Sequence, residues 1–120
     1  LYSIAEVGRL QIELHAANAL LEKAGQVLDE VAARPVDAES AARASIAVAE
    51  AKVLSTEISL AASEKLFELA GSRATLAEFN LDRHWRNART HTLHDPVRWK
   101  VHAVGDYYLN GARPARHSWI

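Results

Sequence analysis

Two helical patterns, each more than thirty residues long and separated only by Arg34-Pro35-Val36-Asp37, constrain this chain more than any other feature. In the first, Ile4, Val7, Leu10, Leu14, Ala17, Leu21, Ala24, Leu28 and Val31 recur at spacings of three, four or seven. Such spacing draws one apolar stripe along a helix over residues 2–33. The break has a local chemical cause, because the residue before a proline is pushed out of helical geometry and Asp37 is a suitable N-cap for a second helix.

The second pattern predicts a helix from Ala38 to Ala70. It carries alanine at 38, 41, 42, 44, 47, 49, 51, 61 and 62 and serine at 45, 55, 59 and 63, with few large side chains before Val53. Small residues on more than one face allow neighbouring backbones to approach, which places this helix between several others rather than on a surface. Gly71 sits where a terminating glycine belongs, and Ser72-Arg73-Ala74-Thr75 reads as a connecting loop.

A third helix is expected from Leu76 to Leu93, burying Leu76, Phe79, Leu81, Trp85 and Ala88. The fourth is expected from Pro96 to Asn110, with Asp95 as N-cap, Pro96 in the first helical position and Asn110-Gly111 as the stop. The tail from Ala112 to Ile120 reads as irregular. Hydrophobic residues make up 49% of the chain but only 2 Phe, 3 Tyr and 3 Trp are present, so alanine and leucine must supply most of the core. This combination predicts an all-α chain, an antiparallel four-helix bundle forming one domain over residues 1–120.

Charge is distributed unevenly. Residues 1–70 hold 6 basic and 11 acidic side chains, whereas residues 71–120 hold 8 basic and 4 acidic ones. The arginines at 73, 83, 86, 89, 98, 113 and 116 suit either a bound anion or the acidic first half. An acidic first half and the lack of a distinct recognition helix argue against nucleic acid as a partner. Without cysteine there is neither a disulfide framework nor a thiolate metal site, and no apolar run approaches the roughly 18 residues of a membrane span. A cytoplasmic location is expected. The chain starts at Leu1 and contains no methionine, and it reads as a fragment, a processed product or a C-terminal domain cut from something larger, although removal of a tag or leader would look the same.

Chemistry concentrates in Arg86-Asn87-Ala88-Arg89-Thr90-His91-Thr92-Leu93-His94-Asp95-Pro96. His91 and His94 are three residues apart and share a helical face one turn above Asn87, at a helix junction that can present imidazoles to a ligand. Glu-x-x-His, which a di-iron bundle needs, does not occur, nor does His-Glu-x-x-His. His91, His94 and Asp95 give at most three ligands across a cap, so no metal site is assigned. Nucleophile elbows and phosphate-binding glycine loops are likewise missing. His15, His84, His102 and His117 show no partner spacing, while Arg83, Arg86 and Arg89 lie along one helical side and suit salt bridges. Trp85, Trp99, Tyr107 and Tyr108 read as packing anchors, and Trp119 as a subunit contact.

Gly71-Ser72-Arg73 after a long helix, then Arg83-His84-Trp85-Arg86-Asn87-Ala88-Arg89 and the helix corner, resemble the C-terminal helical domain of the acyl-CoA dehydrogenase superfamily. Where many dehydrogenases have Tyr-Glu-Gly, this chain has His94-Asp95-Pro96 and adds His91. Thr90 to Pro96 is similar to the flavin-dependent monooxygenase branch, represented by dibenzothiophene monooxygenases and sulfur-acquisition oxidoreductases, and the run from Gly105 to Gly111 with Pro114 and the His117-Ser118-Trp119-Ile120 end resembles the latter group.

The resemblance implies a C-terminal domain that contacts flavin and subunit partners in an enzyme oxidising small organosulfur compounds with reduced FMN and oxygen, with FAD as the alternative cofactor. It also implies N-terminal and middle domains outside these residues, a homotetramer, and no turnover by the 120 residues alone. His91 and His94 take the place beside the flavin ring, His94 nearer the reacting oxygen and His91 on the substrate or proton-relay side. Imidazoles suit that place because they donate hydrogen bonds to a developing oxyanion and exchange protons near neutral pH. Asp95 aligns with the dehydrogenase base, or serves as a helix cap. Gly71, Ser72 and Arg73 are the candidate flavin phosphate contact, since a guanidinium binds phosphate bidentately, although a solvent-facing loop arginine is the plainer reading. The loop departs from the Gly-Gly-x-Gly-Tyr form of dehydrogenases, which is compatible with FMN. An acyl-CoA dehydrogenase domain and a non-catalytic helical interaction module are the alternatives.

Overall fold

A computed structural model describes residues 1–116, of which helices α1 (Tyr2–Ala32), α2 (Ala38–Ala70), α3 (Asp82–His94) and α4 (Val97–Asn110) form the framework. No strand occurs among the described residues. The bounds of α2 are those expected. Its start is fixed by a capping box in which the Ser40 amide donates to Asp37 Oδ1 at 2.8 Å and the Asp37 amide donates to Ser40 Oγ at 3.0 Å. The Ser40 amide, and after it the Ser40 hydroxyl, holds the Asp37 carboxyl below its ordinary range.

Cross-helix pairs fix the direction of α1 against α2. Tyr2 bonds Glu68, Lys65 reaches Glu6 at 3.3 Å, Lys23 reaches Glu50 at 3.8 Å and Arg43 reaches Glu30 at 2.6 Å. As the position rises on one helix it falls on the other, so the two run antiparallel. Between them lie Ala17, Ala24 and Val31, seven residues apart on α1, and Ala47 and Ala51 on α2, with Leu20 and Val27 packed alongside. Short side chains let the two backbones approach, and dispersion from many close atoms replaces the bulk that large residues would bring.

Helix α2 is the hub of the bundle. The main contacts of α1, α3 and α4 are each made with α2, and its buried residues (Ala42, Ile46, Ala47, Ala49, Ala51, Thr56, Ile58 and Ser63) point in several directions. The expected burial of a helix small on more than one face is met. The α1 stripe is only partly buried: Val7, Leu14, Leu21 and Leu28 remain exposed, and Ile4 is 77% exposed.

The third helix differs from expectation. It begins at Asp82 rather than Leu76, because residues 72–75 and 77–79 form short 3-10 turns and Asn80 then adopts left-handed geometry (φ 48°, ψ 36°), which no α-helix continues. Leu76, Phe79 and Trp85 are exposed rather than buried. Trp99 and Tyr108 also face outward, although Tyr108 Oη donates to Glu50 at 3.0 Å and Arg98 stacks 5.6 Å from the Trp99 ring. Helix α4 ends as expected at Gly111, in left-handed geometry (φ 70°, ψ 17°). The readings of Trp119 and of the run His117–Ile120 lie outside the described residues.

Candidate functional site

On α3, His84, Asn87, Ala88 and His91 recur at helical spacing and therefore share one face. That face and Ser59, Ala62, Ser63 and Leu66 of α2 enclose an open groove of about 580 Å3. The groove exists because α2 offers hydroxyls and methyls here, so α3 cannot fill the space with its own side chains. His84 was not expected in this place. Its separation of seven from His91, two helical turns, was the signal available in the sequence.

Two hydroxyl-to-carbonyl bonds and one ion pair lie within α3. Thr90 Oγ1 donates to the Arg86 carbonyl at 2.8 Å, Thr92 Oγ1 donates to the Arg89 carbonyl at 2.8 Å, and Arg86 pairs with Asp82 at 3.1 Å within the same helix. Thr92 is buried, whereas His91 and His94 are both exposed. Arg86 also donates to Asn80 Oδ1 and Arg83 to the Asn80 carbonyl, both local contacts. Arg89 reaches no carboxylate among the described residues, so the expected row of salt bridges reduces to one.

His94 ends α3, and Asp95 comes next in extended geometry (φ −127°, ψ 93°). Asp95 is not the cap of α4. Pro96, with ψ at 112°, occupies the N-cap position, no side chain caps it, and the helix starts one residue later at Val97. The Asp95 carboxylate is instead drawn inward by two ammonium groups: Lys52 of α2 bonds Oδ2, and Lys100 Nζ of α4 lies 3.4 Å from Oδ1. The three side chains are 17%, 7% and 25% exposed for Lys52, Lys100 and Asp95 respectively. At that depth a charge-assisted contact outweighs a solvent-exposed capping bond. The hydrogen bond from Lys52, aided by the nearby Lys100 charge, holds the Asp95 carboxyl below its ordinary value against the opposing effect of burial.

The loop that closes α2 has a different logic. The Gly71 amide donates to the Phe67 carbonyl at 2.9 Å, and the residue sits at φ 86°, ψ −179°, a region essentially reserved for glycine. Thr75 Oγ1 donates to the Ser72 carbonyl at 2.7 Å, the Leu76 amide donates to the Arg73 carbonyl at 3.1 Å, and Ala74 is buried. A pinned turn thus carries Ser72 and Arg73 outward. Arg73 makes no ion pair among the described residues, which leaves its guanidinium available to an anion. The six expected residues therefore fall in two places: 71–73 after α2, and 91, 94 and 95 at the end of α3.

The model of the acyl-CoA dehydrogenase C-terminal domain matches residues 2–99, which include both places. The chain belongs to this family. Among similar proteins, a probable FMNH2-dependent monooxygenase, SfnC of Pseudomonas putida, is 38% identical over 116 residues, covering 95% of this chain and 29% of its own length. Methanesulfinate monooxygenase MsuC from Pseudomonas fluorescens superposes with a TM-score of 0.91 at 39% identity, over 99% of this chain and 31% of that one. FMN-bound TdsC, a dibenzothiophene monooxygenase from Paenibacillus sp. A11-2, gives a TM-score of 0.91 at 34% identity, over 99% and 30%. The chain spans about three-tenths of the length of the relatives it matches. The family also accounts for the helical class. Among the described residues no helix is long and apolar enough to cross a membrane.

Proposed function

We propose that this chain is the C-terminal domain of a monooxygenase that uses reduced FMN and oxygen on a small organosulfur compound. The single observation that carries this reading is the state of the α3–α4 corner in a domain 34–39% identical to monooxygenases of methanesulfinate and dibenzothiophene: imidazoles are presented outward and the carboxylate beside them is tied down. A dehydrogenase needs a carboxylate at this position free to accept a proton from its substrate. Asp95, held ionised by two lysines and lowered in basicity, is badly suited to that task.

The donor set fits a flavin mononucleotide. Arg73 offers a guanidinium without an acidic partner among the described residues, suited to the single phosphate, and Ser72 adds a hydroxyl. His91, with Asn87 and His84 on the same face, lines a groove within the usual range of ligand sites but open on one side, consistent with further domains completing it. Bound reduced flavin supplies the electrons that activate oxygen. The chain's own contribution is to place hydrogen-bond donors, His94 nearest the reacting oxygen and His91 on the substrate side, and to close one wall against water. Asp95 in this scheme holds the corner and moves no proton. A homotetramer and a cytoplasmic location complete the proposal.

The test is oxygen consumption and product formation by the full-length protein with reduced FMN, using methanesulfinate and dibenzothiophene as probes. Oxygenated product that falls about a hundredfold to a thousandfold in His94→Ala supports the reading, on the scale of losing one preorganised oxyanion donor. Oxidation of acyl thioesters without oxygen incorporation would overturn it in favour of a dehydrogenase.

A further inference from the structure

No side chain caps the start of α4 and Asp95 has left helical geometry, so a helix cap does not hold the turn after His94. The rigid link is long-range: Lys52, 43 residues earlier in the middle of α2, bonds the carboxylate that directly succeeds His94. Lys100 completes a three-point brace from α4, one turn into that helix.

We propose that Lys52 is a positioning residue for oxygen transfer, acting through Asp95 to fix the place and direction of His94. This deepens the monooxygenase reading and rests on it for its functional consequence. Lys52 and Lys100 approach Asp95 from two helices and use both carboxylate oxygens, Oδ2 and Oδ1, so the carboxylate can neither rotate nor shift without breaking a contact. Asp95 and His94 are consecutive, so a shift of the held carboxylate passes through one peptide unit to the backbone that carries the His94 ring. A lysine on the alanine-rich hub suits this role because α2 is the helix against which every other helix packs. A displacement of about 1 Å in a reacting group costs up to about a hundredfold in rate, so a brace of this kind acts on yield without touching substrate.

The test uses the full-length protein labelled selectively in its histidine rings, with Lys52→Gln, Lys52→Arg and Lys23→Gln compared. Lys23 also pairs with a glutamate of α2 but lies away from the corner. The expected result for Lys52→Gln is a shifted His94 ring signal in the NMR spectrum with His15 unmoved, and product per oxygen consumed lowered about tenfold to a hundredfold, the balance appearing as hydrogen peroxide. FMN affinity by fluorescence quenching stays within about threefold of wild type, because Lys52 contacts no proposed flavin ligand. Lys52→Arg restores most of the yield and Lys23→Gln changes neither signal nor yield. An unmoved His94 signal with wild-type yield in Lys52→Gln overturns the proposal, as does an equal loss in Lys23→Gln. Should Lys52→Gln not fold, Asp95→Glu decides, since it keeps every charge but moves the carboxylate by one methylene: an unmoved His94 signal there refutes the brace. Failure of the wild-type protein to oxygenate either probe would sink the monooxygenase reading, while the ring signals would still report on the brace.

Discussion

The same chemical change, glycine to alanine, is expected to have opposite signs at two positions of this domain. Gly71 lies at φ 86°, ψ −179°, where a side chain is strained whatever space surrounds it, and an added Cβ would meet no atom within 4 Å. The cost of Gly71→Ala is therefore backbone strain alone, about 1–3 kcal/mol. Gly25 lies inside α1 and also offers open space, so Gly25→Ala removes conformational freedom from the unfolded chain without a clash and stabilises by about 0.5–1 kcal/mol. With an unfolding entropy of about 2.1 cal/mol/K per residue, a domain of this size gives about 0.25 kcal/mol/K. Gly71→Ala should then lower Tm by about 4–12 °C and Gly25→Ala raise it by about 2–4 °C. Denaturant midpoints at constant m-value check both. Equal signs for the two variants would refute the reasoning from backbone geometry. Because the strained glycine aims Ser72 and Arg73, Gly71→Ala should also weaken FMN binding beyond its effect on stability.

Other consequences can be measured separately. Asp95→Asn should destabilise by about 1.5–3 kcal/mol, as expected for losing hydrogen bonds between charged groups, read from the urea midpoint at neutral pH. The Asp95 pKa is depressed on folding, so its stabilisation is present above the ordinary value of 3.8 and is lost as pH falls through the lower folded value; wild type should therefore lose stability more steeply than Asp95→Asn in that acid range, and parallel curves would count against the brace. Ala51→Leu, at the close approach of α1 and α2, should cost about 1–3 kcal/mol through overpacking, whereas Ala16→Leu on the exposed side of α1 should cost little, as thermal melts will show. Arg73→Ala should raise the Kd for FMN about tenfold to a hundredfold with less effect on product yield per flavin bound, measured by fluorescence titration.

Much of this architecture is written locally. Asp37 with Ser40, Gly71 and Gly111 mark helix ends through the chemistry of single residues, and the alanine-rich face of α2 announces its central place. Leu76, Phe79 and Leu81 were misleading because apolar residues at such close spacing read as helix, while the deciding event is one asparagine, Asn80, in left-handed geometry. Asp95 misled for another reason. An aspartate before proline looks like a cap, and the lysine that captures it lies on another helix, where no local rule can find it. His91 and His94 were legible as a spacing, but the groove that admits His84 depends on what α2 does not fill.

An arrangement in which α1, α3 and α4 each rest mainly on α2 also bears on the order in which the domain comes apart. The α1–α2 hairpin is joined by a short connection and closed by its own alanine seam, so it can persist while α3 and α4 lift away. Hydrogen exchange should accordingly show two tiers of protection, slow through the middle of α2 and faster through α3 and the corner. The Lys52–Asp95 contact ties the less protected tier to the scaffold, so the corner keeps its place until that tie opens.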